Sequence, residues 1–255
     1  MSALFAERGG EGSRLLVLLH GLGATAAVWH PFTKILEREG QGRWLAPDLR
    51  GHGRSVKEGP YDFTQHARDV GALLANESSD EIVVLGHSFG GVIASLVGSG
   101  DFGIRPRASL AFGVKIRWSE DEKNKALELA KRPAKIFAAR EEAVERYLKM
   151  AGIFGLADPS SPDVEAGIAA VEGGWKIAQE PASFSAVDQS VPDALRRAKP
   201  PLRLAAGSKD PMVTLDDMRG IDPNAFLFKG AGHNVHVEAP EQVWQFVTRV
   251  LEERR

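Results

Sequence analysis

Glu81-Ile82-Val83-Val84-Leu85-Gly86-His87-Ser88-Phe89-Gly90-Gly91-Val92-Ile93-Ala94 is the stretch that decides the fold. Apolar residues 82–85 run straight into glycine, as a buried parallel strand does when it breaks into a functional loop, and a helical apolar pattern follows over 92–97. A strand that reverses directly into a helix leaves its central residue on a sharp, strained turn. Small residues two positions either side let the two arms pass closely, and only glycine fits both flanks. The turn pushes the Ser88 hydroxyl out at the carboxyl end of the sheet and aims backbone N–H groups of the following helix at the same point. A phosphate-binding turn is the weaker reading, because no Gly-Lys-Ser/Thr follows and the G-x-G-x-x-G spacing is absent.

Further apolar runs at 15–19, 202–206 and 225–228 end in or lead into glycine, which gives four expected strands of one buried sheet. The Pro200-Pro201 pair marks the start of the third. Helical patterns lie between and after them at 63–74, 92–97 and 241–251; the last follows Pro240 and sets Val243, Phe246, Val247 and Val250 on one face. This alternation predicts an α/β fold, a mostly parallel twisted sheet with helices on both faces. Residues 117–190 break the rhythm. They open with the charged run Ser119-Glu120-Asp121-Glu122-Lys123, continue with a helical segment at 141–150, and offer no buried strand, only a tight turn at Gly173-Gly174-Trp175. The expectation is a helical insertion, with 1–116 and 191–255 forming the main domain.

The chain has 255 residues, 43% hydrophobic and 26% charged, enough to bury a large core. A formal net charge of −2 gives no reason to expect nucleic acid or an anionic membrane as an obligate partner, so a small molecule is the expected one. No cysteine is present, which removes disulfides, thiolate catalysis and cysteine-ligated metals together. The first residues lack a basic start with a long apolar stretch, and no run approaches the ~18 apolar residues of a membrane span. A soluble cytoplasmic protein is therefore the expectation.

Several motifs in order carry a resemblance. His20-Gly21-Leu22-Gly23 follows an early strand, Asp48-Leu49-Arg50-Gly51-His52-Gly53-Arg54-Ser55 follows the next, and Gly86-His87-Ser88-Phe89-Gly90 comes third. In this the chain resembles a capped α/β-hydrolase over nearly its whole length outside 117–190. The resemblance implies a serine hydrolase with Ser88 as nucleophile and 117–190 as a helical cap. In the family's order an acid and then a histidine base come later, each on a loop after a late strand. Asp210, after 202–206, and His233, in Gly230-Ala231-Gly232-His233-Asn234, match those places. His236 is a second candidate base, whereas His20, His52, His66 and His87 are expected to serve as structural hydrogen-bonding groups. The resemblance places the oxyanion hole at the N–H groups of Phe89 and Leu22.

The implied chemistry is acyl transfer to water by a Ser88-His233-Asp210 triad, carboxylesterase-like and needing no metal or organic cofactor. Serine at the centre of the turn argues against the dehalogenase and epoxide-hydrolase branches, which place aspartate there. Esters, lactones, thioesters and vinylogous diketones cleaved at a carbon–carbon bond all stay open, as does a non-catalytic small-molecule-binding protein on the same fold. Trp29, Phe89, Trp118, Phe137, Phe154 and Trp175 are the aromatics expected to line a pocket for a small or medium, partly apolar substrate.

Overall fold

The computed structural model describes residues 4–40, 42–188, 190–199 and 201–252. The first three residues and Pro200, which entered the sequence expectations, lie outside the described residues. Along the first apolar run the side chains alternate, Leu16 and Leu18 entering one hydrophobic cluster and Leu15, Val17 and Leu19 the other. A strand buried on both sides in this way needs helices above and below it.

The chain begins with β1 (Ala6–Gly9), β2 (Arg14–Leu19), α1 (His30–Glu39), β3 (Arg43–Pro47), α2 (Phe63–Leu74), β4 (Glu81–His87), α3 (Phe89–Val97) and β5 (Ala108–Phe112). After β5 come α4 (Glu120–Ala130), α5 (Arg140–Met150), β6 (Ile168–Val171) and β7 (Gly174–Ile177), with 3-10 turns at Pro162–Gly167 and Pro181–Asp188. The chain then returns through α6 (Val191–Arg196), β8 (Leu202–Gly207), α7 (Leu215–Arg219), β9 (Phe226–Phe228), α8 (Val235–Glu238) and α9 (Pro240–Glu252). Seven strands form one sheet in the order β1-β3-β2-β4-β5-β8-β9. Only the edge strand β1 runs antiparallel to its neighbour. One face is covered by α1, α8 and α9, and the other by α2, α3, α6 and α7. No helix among the described residues is long and apolar enough to cross a membrane.

The four expected strands are β2, β4, β8 and β9. β3 lies directly before the Asp48 motif, where that motif implied a strand, and the remaining two strands of the sheet, β1 and β5, carry no sequence signal of the same kind. β1 reads Ala-Glu-Arg-Gly with both polar side chains on an edge, and β5 reads Ala-Ser-Leu-Ala-Phe, in which small residues dilute the apolar run. The segment between β5 and α6 is not wholly helical. It contains the antiparallel hairpin β6–β7, closed by Glu172-Gly173, at the place where a tight turn was expected. Four-residue strands with mostly half-buried side chains are too short and too mixed to stand out as a buried run. The charged run at 119–123 is a helix start. Ser119 Oγ accepts from Glu122 N at 3.3 Å while Glu122 Oε2 accepts from Ser119 N at 3.0 Å, a reciprocal cap worth ~1 kcal/mol.

His30 joins three parts of the molecule. Its Nε2–H donates to Glu7 of β1 at 2.6 Å and its Nδ1–H to Asp163, in the turn after α5, at 2.7 Å. Two carboxylates on one ring favour the imidazolium: the bond to Glu7 is the main cause of a His30 pKa raised above 6.5, and the bond to His30 the main cause of a Glu7 pKa lowered below 4.5. A raised histidine stabilises the fold fully below its unfolded value and loses that contribution as pH rises through the folded one; a lowered carboxylate contributes above its unfolded value and loses it on acidification. The clasp is therefore strongest between the two ordinary values and weakens toward alkaline pH. Thermal melts should show His30→Gln less stable than wild type near pH 5.5, with the gap in Tm shrinking as pH rises past that of the raised histidine. A gap that is constant across pH would contradict this assignment.

Candidate active site

Ser88 occupies the connection between β4 and α3 with φ 50° and ψ −114°, and among the described residues it is the one non-glycine at positive φ. Such a conformation costs ~1–3 kcal/mol and persists only where the surroundings impose it. They do so here by contact. A Cβ on Gly86 would lie 2.2 Å from the Gly90 carbonyl oxygen, and one on Gly90 would lie 2.2 Å from the Leu19 carbonyl oxygen. The helix start therefore sits directly on β2 and β4, and the expected role of both glycines is met.

His233 follows β9. Its Nδ1–H donates to Asp210 Oδ2 at 2.7 Å, and the other Asp210 oxygen accepts from Met212 N at 2.8 Å. The Asp210 carboxylate is fully buried, so this charge is held by two donors away from water. With Nδ1 carrying the proton, His233 Nε2 is left as an acceptor. Ser88 and His233 line one cavity of about 310 Å³. Leu22 and Phe89 line it too, and among the described residues no carbonyl or side chain takes up the N–H of either.

His236, the alternative base, is fully buried against Trp29 and His87, with ring centroids 4.5 and 4.6 Å away, and has no hydrogen-bond partner among the described residues. Burial pushes its pKa down to about 3, and no carboxylate orients it. His66 is likewise held down to about 4 by burial and, contrary to expectation, neither of its nitrogens is hydrogen-bonded among the described residues. Asp216 and Asp217 lie in the first turn of α7, behind the N-cap Thr214.

The expected pocket aromatics divide. Phe89 and Trp118 line the Ser88 cavity, together with Phe63, Phe184, Met150 and Met212. Trp29 does not: it is fully buried against Phe32 and Phe112 on the α1 side of the sheet. Phe137 and Trp175 exchange backbone hydrogen bonds of 2.7 and 2.9 Å beside the β6–β7 hairpin, away from Ser88. Phe154 is 55% exposed under the Lys149 ammonium. Aromatic composition cannot separate core, hairpin and pocket, because all three bury the same rings.

Several positioning groups carried no sequence signal beyond their motifs. Leu49 N–H donates to His20 Nε2 at 2.9 Å and Gly23 N–H to His52 Nε2 at 3.1 Å, while each ring's Nδ1–H donates to a carbonyl, of Gly21 and Arg50 respectively. Both imidazoles must be neutral to accept these bonds, and burial lowers both pKa values accordingly. Buried Asp48 accepts from Ala26 N at 2.7 Å and from Arg54 N and Nε at 2.9 and 2.8 Å. These bonds lock the loop carrying Leu22 to the loop after β3. Glu238 does the same for the histidine loop, accepting from Gly232 N at 2.7 Å and Asn234 N at 3.0 Å. His87 Nε2–H donates to the His233 carbonyl at 3.1 Å.

A model described as the alpha/beta hydrolase family matches residues 16–246. The chain belongs to the α/β-hydrolase family. This α/β-hydrolase is 35% identical over 86 residues to lipase LipV of Mycobacterium tuberculosis, a match covering 34% of this chain and 32% of that protein. It is 32% identical over 155 residues to protein phosphatase methylesterase 1 of Pongo abelii, covering 59% of this chain and 40% of that protein. The matches thus span well under half the length of both curated relatives. Among solved structures, E-2-(acetamidomethylene)succinate hydrolase superposes with a TM-score of 0.75 at 22% identity, covering 98% of this chain and 95% of that one.

Replacing His52 by leucine keeps the volume but strands the buried Gly23 N–H. Urea unfolding should show a loss of ~1–3 kcal/mol, against no change if the ring only fills space.

Proposed function

We propose that this chain is a serine hydrolase that cleaves an ester-type, partly apolar substrate of small or medium size through an acyl-enzyme on Ser88. The observation that carries this reading is the 2.7 Å bond from His233 Nδ1–H to buried Asp210, with the same imidazole sharing a cavity with Ser88. Nε2 takes the Ser88 proton as Oγ attacks the carbonyl carbon. The tetrahedral oxyanion is held by the N–H groups of Leu22 and Phe89, donors worth ~3–4 kcal/mol each in such sites. Collapse expels the alcohol, which leaves with the proton from His233, and water repeats the sequence to release the acid. Asp210 fixes the tautomer and stabilises the imidazolium that forms. The names of the curated relatives, a lipase and a methylesterase, support ester hydrolysis over the other acyl chemistries.

The apolar lining fits an acyl or alcohol portion without charge. Met150 lies at the end of α5, Phe184 and Val187 in the 3-10 turn Pro181–Asp188, and Trp118 just before α4, so one wall comes from 117–190. We read that segment as a cap on a core of 1–116 and 191–255, with the cap setting substrate size. Asn234 Nδ2 donates to the Gly152 carbonyl at 2.9 Å, a direct link between the histidine loop and the end of α5.

A fluorophosphonate probe should label the wild-type protein and lose its label in Ser88→Ala. On p-nitrophenyl esters, Ser88→Ala and His233→Ala should each lower kcat by about 10⁴-fold or more, and Asp210→Asn by about 10⁴-fold.

A further inference from the structure

A second cavity, of about 420 Å³, lies within 117–190. Leu129, Phe137 and Ile177 supply apolar wall, and Met150 and Phe184 line both this cavity and the one at Ser88. The two spaces are therefore neighbours that share a flexible thioether and one ring as wall. Arg132, Lys135 and Arg146 stand around the second cavity.

These three exposed cations lie outside the close ion pairs that hold most of their neighbours. Lys115, Lys123, Lys131, Arg140, Lys149 and Lys176 each hold a carboxylate. Among the described residues none forms an ion pair with Arg132, Lys135 or Arg146, although Arg132 stands close enough to Glu128 to add to the field of its partner Lys131; Lys135 lies over the Phe137 ring, 4.7 Å from its centroid. Gln179 also lines the cavity. It is 3% exposed, its Nε2 donates to Ser183 Oγ at 3.0 Å, and its Oε1 has no partner among the described residues. A serine hydroxyl can donate as well as accept, so the amide can turn over and offer either edge to a ligand. Apolar walls, a buried amide with one free edge and three cations outside any close ion pair together select an apolar body that ends in an anion.

We propose that this second cavity is a subsite for the anionic end, carboxylate or phosphate, of an amphipathic ester whose ester end lies at Ser88. The proposal rests on the ester-hydrolase reading above and narrows its substrate class. Met150 and Phe184 are where the chain of the substrate passes from one space to the other.

The test compares p-nitrophenyl esters of equal chain length that end in methyl, carboxylate or phosphate. Wild type should favour one or both anionic esters in kcat/KM by about tenfold, a preference that weakens at about 0.5 M salt. In Arg132→Gln/Lys135→Gln/Arg146→Gln the preference should vanish while the methyl-ended ester is turned over as before. Equal rates for all three esters in wild type, or a preference that survives the triple substitution, would overturn the proposal; which anionic ester is favoured identifies the head group. A calorimetric titration of wild type with octanedioic acid monoamide, its phosphate-ended analogue and octanamide reads the subsite without turnover. Binding by an anionic amide that is lost in the triple variant supports the subsite even if no ester is hydrolysed, an outcome that would instead defeat the hydrolase reading. Equal binding by all three amides would overturn the subsite.

Discussion

The close passage of α3 over β2 and β4 is the constraint on which the site depends. Carbonyl oxygens only 2.2 Å from where Cβ atoms would stand at Gly86 and Gly90 leave no room for any side chain. The backbone at Ser88 must then turn through φ 50°, which an L-residue adopts only at a cost. That cost is borne by the burial of α3, every residue of which is buried. The result is a hydroxyl fixed at the carboxyl end of the sheet, beside a helix N-terminus whose first N–H groups have no helical partner.

Around that point the site is assembled by backbone loops tied to buried polar side chains. His20, His52 and Asp48 fasten the loop bearing Leu22 to the loop after β3, and Glu238 and His87 fasten the backbone around His233. Burial keeps His20, His52, His87 and His236 below the usual histidine range. His233 alone among the histidines near Ser88 has a carboxylate on one nitrogen while lining the cavity. The proposed mechanism gives the proton transfer to His233, since the other imidazoles are committed to backbone bonds or sealed in the core.

Much of this was legible in the sequence because it is local. The strand-turn-helix around Ser88, the glycines that flank it, and the places of Asp210 and His233 after β8 and β9 all follow from short stretches read in order. What was illegible is set by distant partners. β5 is recognisable only beside β4 and β8, and the short, half-buried strands β6 and β7 only once paired with each other. Trp29 and Trp118 look alike as residues, yet one is locked against Phe112 and the other lines the cavity at Ser88. The carboxylate of Glu238 gives no hint in its own sequence that it caps the histidine loop.

Rapid-quench mass spectrometry with a slowly deacylating p-nitrophenyl ester would reveal whether Ser88 forms the proposed covalent intermediate. Intact protein should gain one acyl group in step with a burst of p-nitrophenol, and the modified peptide should place it on Ser88. An acyl group on any other residue, or turnover undiminished in a Ser88→Ala protein that never acquires one, would contradict it.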